Sequence, residues 1–315
     1  MTEYRGSFTV VVTPFRERGE AFDEETMRRF VDWQITEGAH GLITLGSMGE
    51  FFLVDDDERG RIISSVVDQA AGRVPVFAGT ANARTEKAVR FSREAEDLGA
   101  DGIMVLPPLY IAPTDAEIVA YFSRIAEAVS IPIMIYNNPT NASVDIPADV
   151  VARLADEFDN IRYIKEASGE LARVADIRRL AGEKMHVWQG AHPFDAIALG
   201  GEGWVSPEGN FLPRLSAQMF ELAQGGDHAG SAAIWAKLLA VNTAIMAGRP
   251  PRLRNHLAHI IAITKELCRL VGQPMGVPRA PITRFADYTG ADAGGIEPLK
   301  RMLAELGALA HDEAA

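Results

Sequence analysis

The eight residues IPIMIYNN (131–138) form a short, nearly continuous apolar run, and the chain contains eight runs of this kind. Such runs are typical of parallel strands that are covered on both faces. The other seven runs are FTVVVTPF (8–15), GLITLG (41–46), VPVFAGT (74–80), GIMVLPP (102–108), IRYIKEAS (161–168), MHVWQG (185–190) and GWVSPEG (203–209).

Most of these runs are separated by segments with helical spacing. In segment 23–38, Met27, Phe30 and Val31 fall on one helical face, and segment 85–99 repeats the pattern. Eight strand–helix units over about 200 residues match the size of a (β/α)8 TIM barrel. We therefore predict an α/β fold of this type. A doubly wound open sheet uses the same local units and is the alternative, which the count of eight disfavours.

The strand pattern ends near Pro213. Three helical segments follow, at 229–247, 253–271 and 296–309. We predict a barrel over residues 6–225 and a C-terminal helical extension over residues 226–312. The extension is expected to pack on the barrel without a core of its own.

The composition is that of a globular protein, with 47% hydrophobic and 23% charged residues. The net charge of −12 argues against binding to a nucleic-acid backbone. The single cysteine, Cys268, excludes an intramolecular disulfide and a cysteine-based zinc cluster. The N-terminus lacks the pattern of a signal peptide, and no apolar stretch approaches the roughly 18 residues of a membrane span. We expect a cytoplasmic protein with no nucleic-acid or membrane partner.

Lys165 is unusual because it lies inside a predicted buried strand. In a (β/α)8 barrel the active site forms at the C-terminal ends of the strands. Alternation along IRYIKEAS places Ile161, Tyr163 and Lys165 on one face. Burial disfavours the ammonium form of lysine, and a neutral amine is the species that attacks a ketone to form a Schiff base. The alternative is a structural lysine that pairs with a neighbouring carboxylate.

Two features near Lys165 in the predicted barrel bear on these alternatives. Tyr136 ends the preceding strand, where its phenol is expected to reach the Lys165 amine and transfer protons. A packed aromatic ring with a hydrogen-bonded hydroxyl is the alternative for Tyr136. The turn GSMGE (46–50) offers backbone N–H groups between two glycines, which suits an anion such as a substrate carboxylate.

Taken in order along the chain, GSMGE (46–50), Tyr136 in YNNP and Lys165 in YIKEASG resemble the dihydrodipicolinate synthase/N-acetylneuraminate lyase family. The resemblance runs from about Gly6 to the last predicted helix. It implies a class I lyase that forms a Schiff base with a 2-keto acid and needs no metal or organic cofactor. It also implies a homotetramer built from two tight dimers.

The resemblance assigns roles residue by residue. Lys165 matches the Schiff-base lysine, and Tyr136 matches the tyrosine that relays protons to and from the attached keto acid. Tyr110 matches a tyrosine that crosses the dimer interface in the synthases to complete a proton relay. The turn residues whose backbone amides hold the keto-acid carboxylate are Ser47, Met48 and Gly49.

The remaining predicted substrate-binding residues come from the strand ends. They are Asn138, Gly190, His192 and Ser206. His192, together with Glu208 and Asn210, is also a candidate for contacts to substrate hydroxyls or for a general base in dehydration. The alternative for these three residues is a role in loop structure only.

Departures from the family pattern bear on the substrate. Met48 replaces the usual threonine, so we expect that the Tyr–Thr–Tyr hydroxyl relay of the synthases does not operate. Asn141 stands where the synthases carry an arginine for the carboxylate of aspartate semialdehyde, and this change is not conservative. Ala191 and His192 follow Gly190, where sialic acid lyases have acidic residues, which disfavours a nine-carbon sugar.

We therefore predict a Schiff-base lyase, an aldolase or a dehydratase, that acts on a short 2-keto acid such as a 2-keto-3-deoxy sugar acid or a hydroxyproline-derived acid. Condensation of pyruvate with aspartate semialdehyde, as in 4-hydroxy-tetrahydrodipicolinate synthase, is the first alternative. A non-catalytic keto-acid binding protein is the second.

Overall fold

The computed structural model describes residues 3–248, 257–289 and 296–310. Eight parallel strands pair in chain order and close into a barrel, because the last strand pairs with the first. The strands are β1 Gly6–Val10, β2 Gly41–Thr44, β3 Val76–Gly79, β4 Gly102–Val105, β5 Ile133–Asn137, β6 Ile161–Glu166, β7 His186–Gln189 and β8 Gly203–Ser206. The closed ring confirms the predicted (β/α)8 TIM barrel and rules out the doubly wound open sheet.

Helices follow the strands around the barrel and continue beyond it. They are α1 Glu24–Thr36, α2 Asp56–Ala70, α3 Thr85–Asp97, α4 Asp115–Ala126, α5 Pro139–Ala142, α6 Ala148–Glu157, α7 Ala172–Ala181, α8 Pro193–Ala198, α9 Pro213–Gln224, α10 His228–Ala247, α11 Leu257–Leu270, α12 Phe285–Thr289 and α13 Ile296–Glu305. Each of the eight predicted apolar runs overlaps one strand, and the helices predicted at 23–38 and 85–99 are α1 and α3.

The C-terminal part of the chain is helical, as predicted. The segments predicted at 229–247 and 296–309 overlap α10 and α13. The segment predicted at 253–271 contains α11, and its first residues, 253–256, lie outside the described residues. Apolar residues of α11 join the same buried cluster as the barrel strands. The boundary between residues 225 and 226 stays a prediction.

Four aromatic rings fill the barrel beneath the strand ends. Phe8, Phe77, Tyr163 and Trp188 are each at most 1% exposed. Neighbouring rings meet edge to face, with centroids 4.7 to 5.9 Å apart. Trp188 faces Gly203 across β7 and β8, where a Cβ would lie 2.1 Å from the indole ring, so only glycine leaves room. The barrel interior is therefore packed, and the active sites of such barrels form at the C-terminal ends of the strands.

Glu50, the last residue of the GSMGE turn, ties the barrel to the C-terminal extension. Its buried Oε1 lies 2.6 Å from Nζ of Lys265 in α11. Its Oε2 accepts a hydrogen bond of 2.7 Å from the backbone N–H of Arg279. Burial lowers the pKa of Lys265, and the Glu50 carboxylate opposes this effect. Because both charges are shielded from water, each depends on the other for stabilisation.

Helix α10 is long and apolar enough, by length and composition alone, to cross a membrane, with a mean hydropathy of 1.3. One such helix is weak evidence, because a core helix of a globular protein meets the same criteria. Here α10 packs against α9 and α13. The expectation of no membrane partner stays a prediction.

We expect Lys265→Met to destabilise the protein by about 3–5 kcal/mol, because the variant leaves the buried Glu50 carboxylate without its cation. Urea unfolding at neutral pH measures this loss. The control Arg153→Met removes an exposed ion pair, in which the Arg153 Nε lies 2.7 Å from Glu157, and should cost less than about 1 kcal/mol. Equal losses in the two variants would contradict the importance of the buried pair.

Candidate active site

Lys165 and Tyr136 stand side by side because β5 and β6 pair in parallel with these two residues in register. Lys165 is 6% exposed and Tyr136 is 4% exposed. The Lys165 Nζ lies 4.0 Å from the centroid of the Tyr136 ring, which is a cation–π distance. The structure therefore brings the two predicted catalytic residues into contact.

The carboxylate of Glu166, the residue that follows Lys165 in the chain, interacts with side chains other than Lys165. Glu166 is fully buried, and its Oε2 lies 2.9 Å from Nε of Arg173 and accepts a hydrogen bond of 3.0 Å from Asn137. Within the part of the chain that the structure describes, no carboxylate oxygen forms an ion pair with Lys165. This arrangement favours a reactive amine over the structural ion pair that was the alternative for Lys165.

Polar groups surround the phenol of Tyr136. Nδ2 of Asn138 donates a hydrogen bond of 2.7 Å to the phenol oxygen, and Lys165 and Ser47 are its other polar neighbours. Burial alone would raise the pKa of Tyr136. The Lys165 charge and these polar neighbours outweigh burial and hold this pKa below its ordinary value. The arrangement suits the proton relay predicted for Tyr136, and the hydrogen bond from Asn138 positions the phenol.

Ser47, the second residue of the GSMGE turn, is the hydroxyl neighbour of Tyr136. The expectation that Met48 prevents the Tyr–Thr–Tyr hydroxyl relay stays a prediction. Among the described residues, the backbone N–H groups of Ser47 and Met48 have no hydrogen-bond acceptor. These donors are available to a ligand carboxylate, as an anion-binding turn requires.

The side chains of Lys165 and Tyr136 open into a cavity of about 460 Å³ at the strand ends, a volume that suits a small organic ligand. Gly190 lines this cavity beside Lys165. A Cβ on Gly190 would lie 3.1 Å from Cε of Lys165 and 2.8 Å from Cβ of Ala167, so glycine makes room for the lysine stem. The predicted residues that line the cavity are Ser47, Met48, Tyr136, Asn138, Lys165, Gly190, His192 and Glu208.

Three predicted substrate-binding residues lie outside the lining of this cavity. Ser206 is fully buried, and its hydroxyl accepts a hydrogen bond of 2.8 Å from the N–H of Gly209 within its own turn. The carbonyl of Gly49 accepts a hydrogen bond of 2.7 Å from Thr13. Tyr110 is 96% exposed and lies away from the cavity of its own chain. The role of Tyr110 across a dimer interface stays a prediction.

Asn210 has a structural role, which was the alternative to substrate contact for this residue. Its Nδ2 donates hydrogen bonds of 2.9 Å to the carbonyls of Val10 and Pro207. Its Oδ1 accepts a hydrogen bond of 2.9 Å from the N–H of Val12. These bonds fasten the turn after β8 to the end of β1, and so they fix the neighbouring Glu208.

Glu208 is a buried carboxyl in the cavity lining, 5% exposed. Burial raises the pKa of Glu208 to about 7, against smaller lowering effects of its own backbone N–H, Lys165 and Ser206. Its Oε2 is buried and has no hydrogen-bond partner in the described part of the chain. A carboxyl in this state exchanges a proton near neutral pH.

Sequence analysis did not predict that the C-terminal extension forms one wall of the cavity. Apolar side chains of α10 and α11 supply this wall: Leu239, Ile245, Met246, Leu257 and Ile260. The nearly uniform apolar character of α10 was the available signal, because a helix that is hydrophobic all round needs cover on more than one side. The pattern alone does not say what covers it.

A (β/α)8 barrel that sets a lysine amine beside a tyrosine phenol at its strand ends is typical of class I, Schiff-base lyases. The family model of the Dihydrodipicolinate synthetase family matches residues 3–287. The chain belongs to this family, which confirms the resemblance carried by the GSMGE, YNNP and YIKEASG motifs.

Relatives and solved structures agree with this membership. The chain is 37% identical over 296 residues to 4-hydroxy-tetrahydrodipicolinate synthase of Methylobacterium radiotolerans, covering 92% of this chain and 96% of that protein. It is similar to dihydrodipicolinate synthase from Aquifex aeolicus, with a TM-score of 0.88, 28% identity, and coverage of 98% and 100%. It is also similar to YagE, a prophage protein of the dihydrodipicolinic acid synthase family from E. coli K12 in complex with pyruvate, with a TM-score of 0.87, 28% identity, and coverage of 98% and 100%.

Members of this family are lyases that use a Schiff base. This confirms the predicted class, a Schiff-base lyase, at the level of the family. Within the described residues, no group of three or more His, Cys, Asp and Glu side chains is placed to hold a metal ion. The expectation of no metal or organic cofactor stays a prediction.

We expect one of the six tyrosines to ionise below the ordinary range, because the Lys165 charge stabilises the Tyr136 phenolate. The ultraviolet absorbance of phenolate, followed during an alkaline titration, measures this step, and Tyr136→Phe should remove it. In Lys165→Met the step should move above the ordinary value near ~10, since burial then acts without the opposing cation. An unchanged step in Lys165→Met would show that the lysine charge does not act on the phenol.

Proposed function

We propose that the protein is a class I lyase in which the Lys165 amine forms a Schiff base with C2 of a short 2-keto acid. One observation carries this proposal: a buried lysine amine has no carboxylate partner in the described structure and contacts the Tyr136 phenol. A structural lysine needs a counter-charge, whereas a nucleophilic lysine needs a proton-transfer group beside it.

The chemistry follows from these neighbours. Neutral Lys165 attacks the C2 carbonyl, and the C=O electron pair moves to oxygen as the C–N bond forms. Tyr136 gives a proton to that oxygen, and its phenolate then takes a proton from the nitrogen. Tyr136 passes this second proton to the new hydroxyl, so that water leaves and an iminium ion forms. Asn138 and Ser47 hold the phenol, while the N–H groups of the GSMGE turn hold the substrate carboxylate. The iminium ion then withdraws electrons, which makes the C3 proton acidic and the C3–C4 bond breakable.

The first candidate substrate is a 2-keto-3-deoxy sugar acid or a hydroxyproline-derived acid, which the enzyme dehydrates, deaminates or cleaves. Asn141 favours this candidate. It lines the cavity, and its Oδ1 is buried without a hydrogen-bond partner among the described residues. An amide pairs well with a hydroxyl group, which both donates and accepts. It is a poor substitute for a guanidinium that pairs with a carboxylate.

The second candidate is the condensation of pyruvate with aspartate semialdehyde to 4-hydroxy-tetrahydrodipicolinate. The names of the curated relatives favour this candidate over the first. Both candidates use the same imine on Lys165 and differ in the second half of the reaction. The residue at position 141 bears on the choice, because it lines the same cavity as Lys165.

A keto-acid binding protein without turnover is the candidate of another class. Such a protein would form the same adduct but consume no substrate. The contact between Lys165 and Tyr136 favours an enzyme, because binding alone needs no proton-transfer group beside the amine.

We also propose a homotetramer of two tight dimers, in which Tyr110 enters the site of the neighbouring subunit. Tyr110 is 96% exposed and Ile111 is 63% exposed. The backbone of Tyr110 is left-handed, with φ of 77°, a costly conformation for a large side chain. Two large apolar side chains displayed on one loop are typical of a contact surface.

We expect incubation with pyruvate and borohydride to add a reduced pyruvyl group to Lys165, located by peptide mass spectrometry. The expected stoichiometry is one adduct per chain, and Lys165→Ala should abolish it. Lys184→Ala removes an exposed lysine, whose Nζ lies 2.6 Å from Asp156, and is the matched control that should label normally.

The absence of an adduct, under conditions that label a known class I aldolase, would contradict the lyase proposal. An adduct without turnover of any keto acid in a panel of 3-deoxy-2-keto acids and aspartate semialdehyde would support the binding protein instead.

We expect Asn141→Arg to raise kcat/KM for the condensation of pyruvate with aspartate semialdehyde by about tenfold or more. The guanidinium supplies a bidentate partner for the semialdehyde carboxylate, and each ~1.4 kcal/mol corresponds to tenfold. The same variant should slow turnover of a 2-keto-3-deoxy acid. Thr140→Arg places the same charge one residue away in the cavity lining and is the control. A wild-type enzyme that condenses efficiently and gains nothing from the arginine would decide for the second candidate.

A further inference from the structure

We propose that Glu208 is the acid–base group that takes the C3 proton of the keto acid on Lys165 and passes it to a hydroxyl group that leaves from C4. This proposal rests on the function proposed above, and it gives that function a second proton-transfer group besides Tyr136. It also favours dehydration among the reactions open to the first candidate substrate.

Glu208 is presented by a rigid turn. The turn Glu208–Asn210 follows β8 directly. The N–H of Gly209 donates to Ser206, and the carbonyl of Gly209 accepts a hydrogen bond of 2.8 Å from Gln34 in α1. The side chain of Asn210 forms hydrogen bonds to backbone groups at the end of β1 and in its own turn. The backbone therefore fixes the carboxyl at the edge of the cavity, as positioning of an acid–base group requires.

The strand order places Glu208 and Tyr136 on opposite sides of the bound keto acid. Lys165 in β6 and the GSMGE turn after β2 are four strands apart in a ring of eight, so they face each other across the barrel mouth. A keto acid with its C2 on the lysine and its carboxylate on the turn spans this line. Tyr136 on β5 lies on one side of the line, and Glu208 after β8 lies on the other.

The carboxyl of Glu208 is incompletely paired, in contrast to the other buried carboxylate near Lys165. Both oxygens of Glu166 have partners, because Oε1 accepts from the N–H of Ser168 at 2.7 Å and Oε2 faces Arg173. Oε2 of Glu208 has none among the described residues. A buried polar atom without a partner costs free energy.

The proposed step balances. The C3–H bond breaks towards the Glu208 carboxylate, its electron pair forms a C2=C3 bond, and the C2=N pair moves to nitrogen. In the enamine the nitrogen pair forms C2=N again, the C2=C3 pair becomes C3=C4, and the C4–O bond breaks. Glu208 gives the proton to the leaving hydroxyl, so that water departs and the carboxylate is restored. The substrate loses H from C3 and OH from C4, and no other reactant is needed.

The surroundings of Glu208 suit both of its protonation states. In the described lining, the ionisable groups that face it are Lys165 from β6, Tyr136 from β5 and His192 before α8. Helices α10 and α11 contribute uncharged side chains to the lining. The Lys165 iminium ion carries a positive charge until the C3 proton leaves, which favours the Glu208 carboxylate at that step. Burial, which brings the pKa of Glu208 to about 7, supplies the acid for the return of the proton.

Exchange of the pyruvate methyl protons in D2O, followed by proton NMR at saturating pyruvate, tests the C3 step without a second substrate. We expect the wild-type protein to exchange these protons and Glu208→Gln to do so at least about 10²-fold more slowly, as for loss of a general base. Borohydride trapping of the same samples should still label Lys165 in the variant. Glu183→Gln, which changes an exposed carboxyl in the turn Gly182–Lys184, should exchange like the wild type.

The pH profile gives a second readout that a merely structural role would not move. The wild-type exchange rate should rise with pH through about 7 as the Glu208 carboxylate forms, and this rise should be absent in Glu208→Gln. Trapping with undiminished exchange in Glu208→Gln would overturn the role of Glu208 and leave the proposed function standing.

Failure of the wild-type protein to form any adduct would instead overturn the proposed function itself. If Glu208→Gln shows neither a Lys165 adduct nor exchange of the methyl protons, the pH profile of exchange by the wild-type protein tests the proposal. A rise centred near pH 7 then supports the proposal, and a flat profile overturns it.

Discussion

The parallel register of β5 and β6 is the constraint on which the site depends, because it holds Tyr136 against Lys165. Burial acts against the Tyr136 phenolate, but the charge of Lys165 and the polar neighbours of the phenol outweigh it and hold the pKa of Tyr136 below its ordinary value. A shift of one residue in this register would turn Lys165 from the barrel interior towards the surrounding helices. Gly190 leaves space for the lysine stem, and Asn138 holds the phenol. Gly190 and Asn138 therefore both support the contact between Lys165 and Tyr136 that the strand register creates.

The GSMGE turn links this contact to the rest of the molecule. At one end Ser47 touches the Tyr136 phenol, and at the other Glu50 is paired with Lys265 in α11. The same helix supplies apolar side chains to the cavity wall. One buried ion pair, between Glu50 and Lys265, thus connects the predicted carboxylate-binding turn to the helix that lines the cavity. The extension is a part of the site rather than an appendage that only covers the barrel.

Much of the fold was predictable because its signals are local. Each strand is buried on both faces and so appears as an apolar run, and Lys165 stands out because it interrupts one. The cavity wall from α10 and α11 leaves no such signal, since it depends on contacts between distant parts of the chain. Ser206 and Asn210 have the residue types of substrate ligands, and only the folded structure shows that their polar atoms are already used.

The four packed rings beneath the strand ends have a consequence for the order of events in a catalytic cycle. Phe8, Phe77, Tyr163 and Trp188 leave no passage through the barrel, so whatever enters the cavity must leave by the same opening. In the lyase proposed above, the keto-acid portion of the ligand is bound to Lys165, and any second fragment lies between it and solvent. That outer fragment then has to leave before the bound keto acid is hydrolysed and follows. The sequence of product release is then dictated by a plug of aromatic side chains that takes no part in bond making.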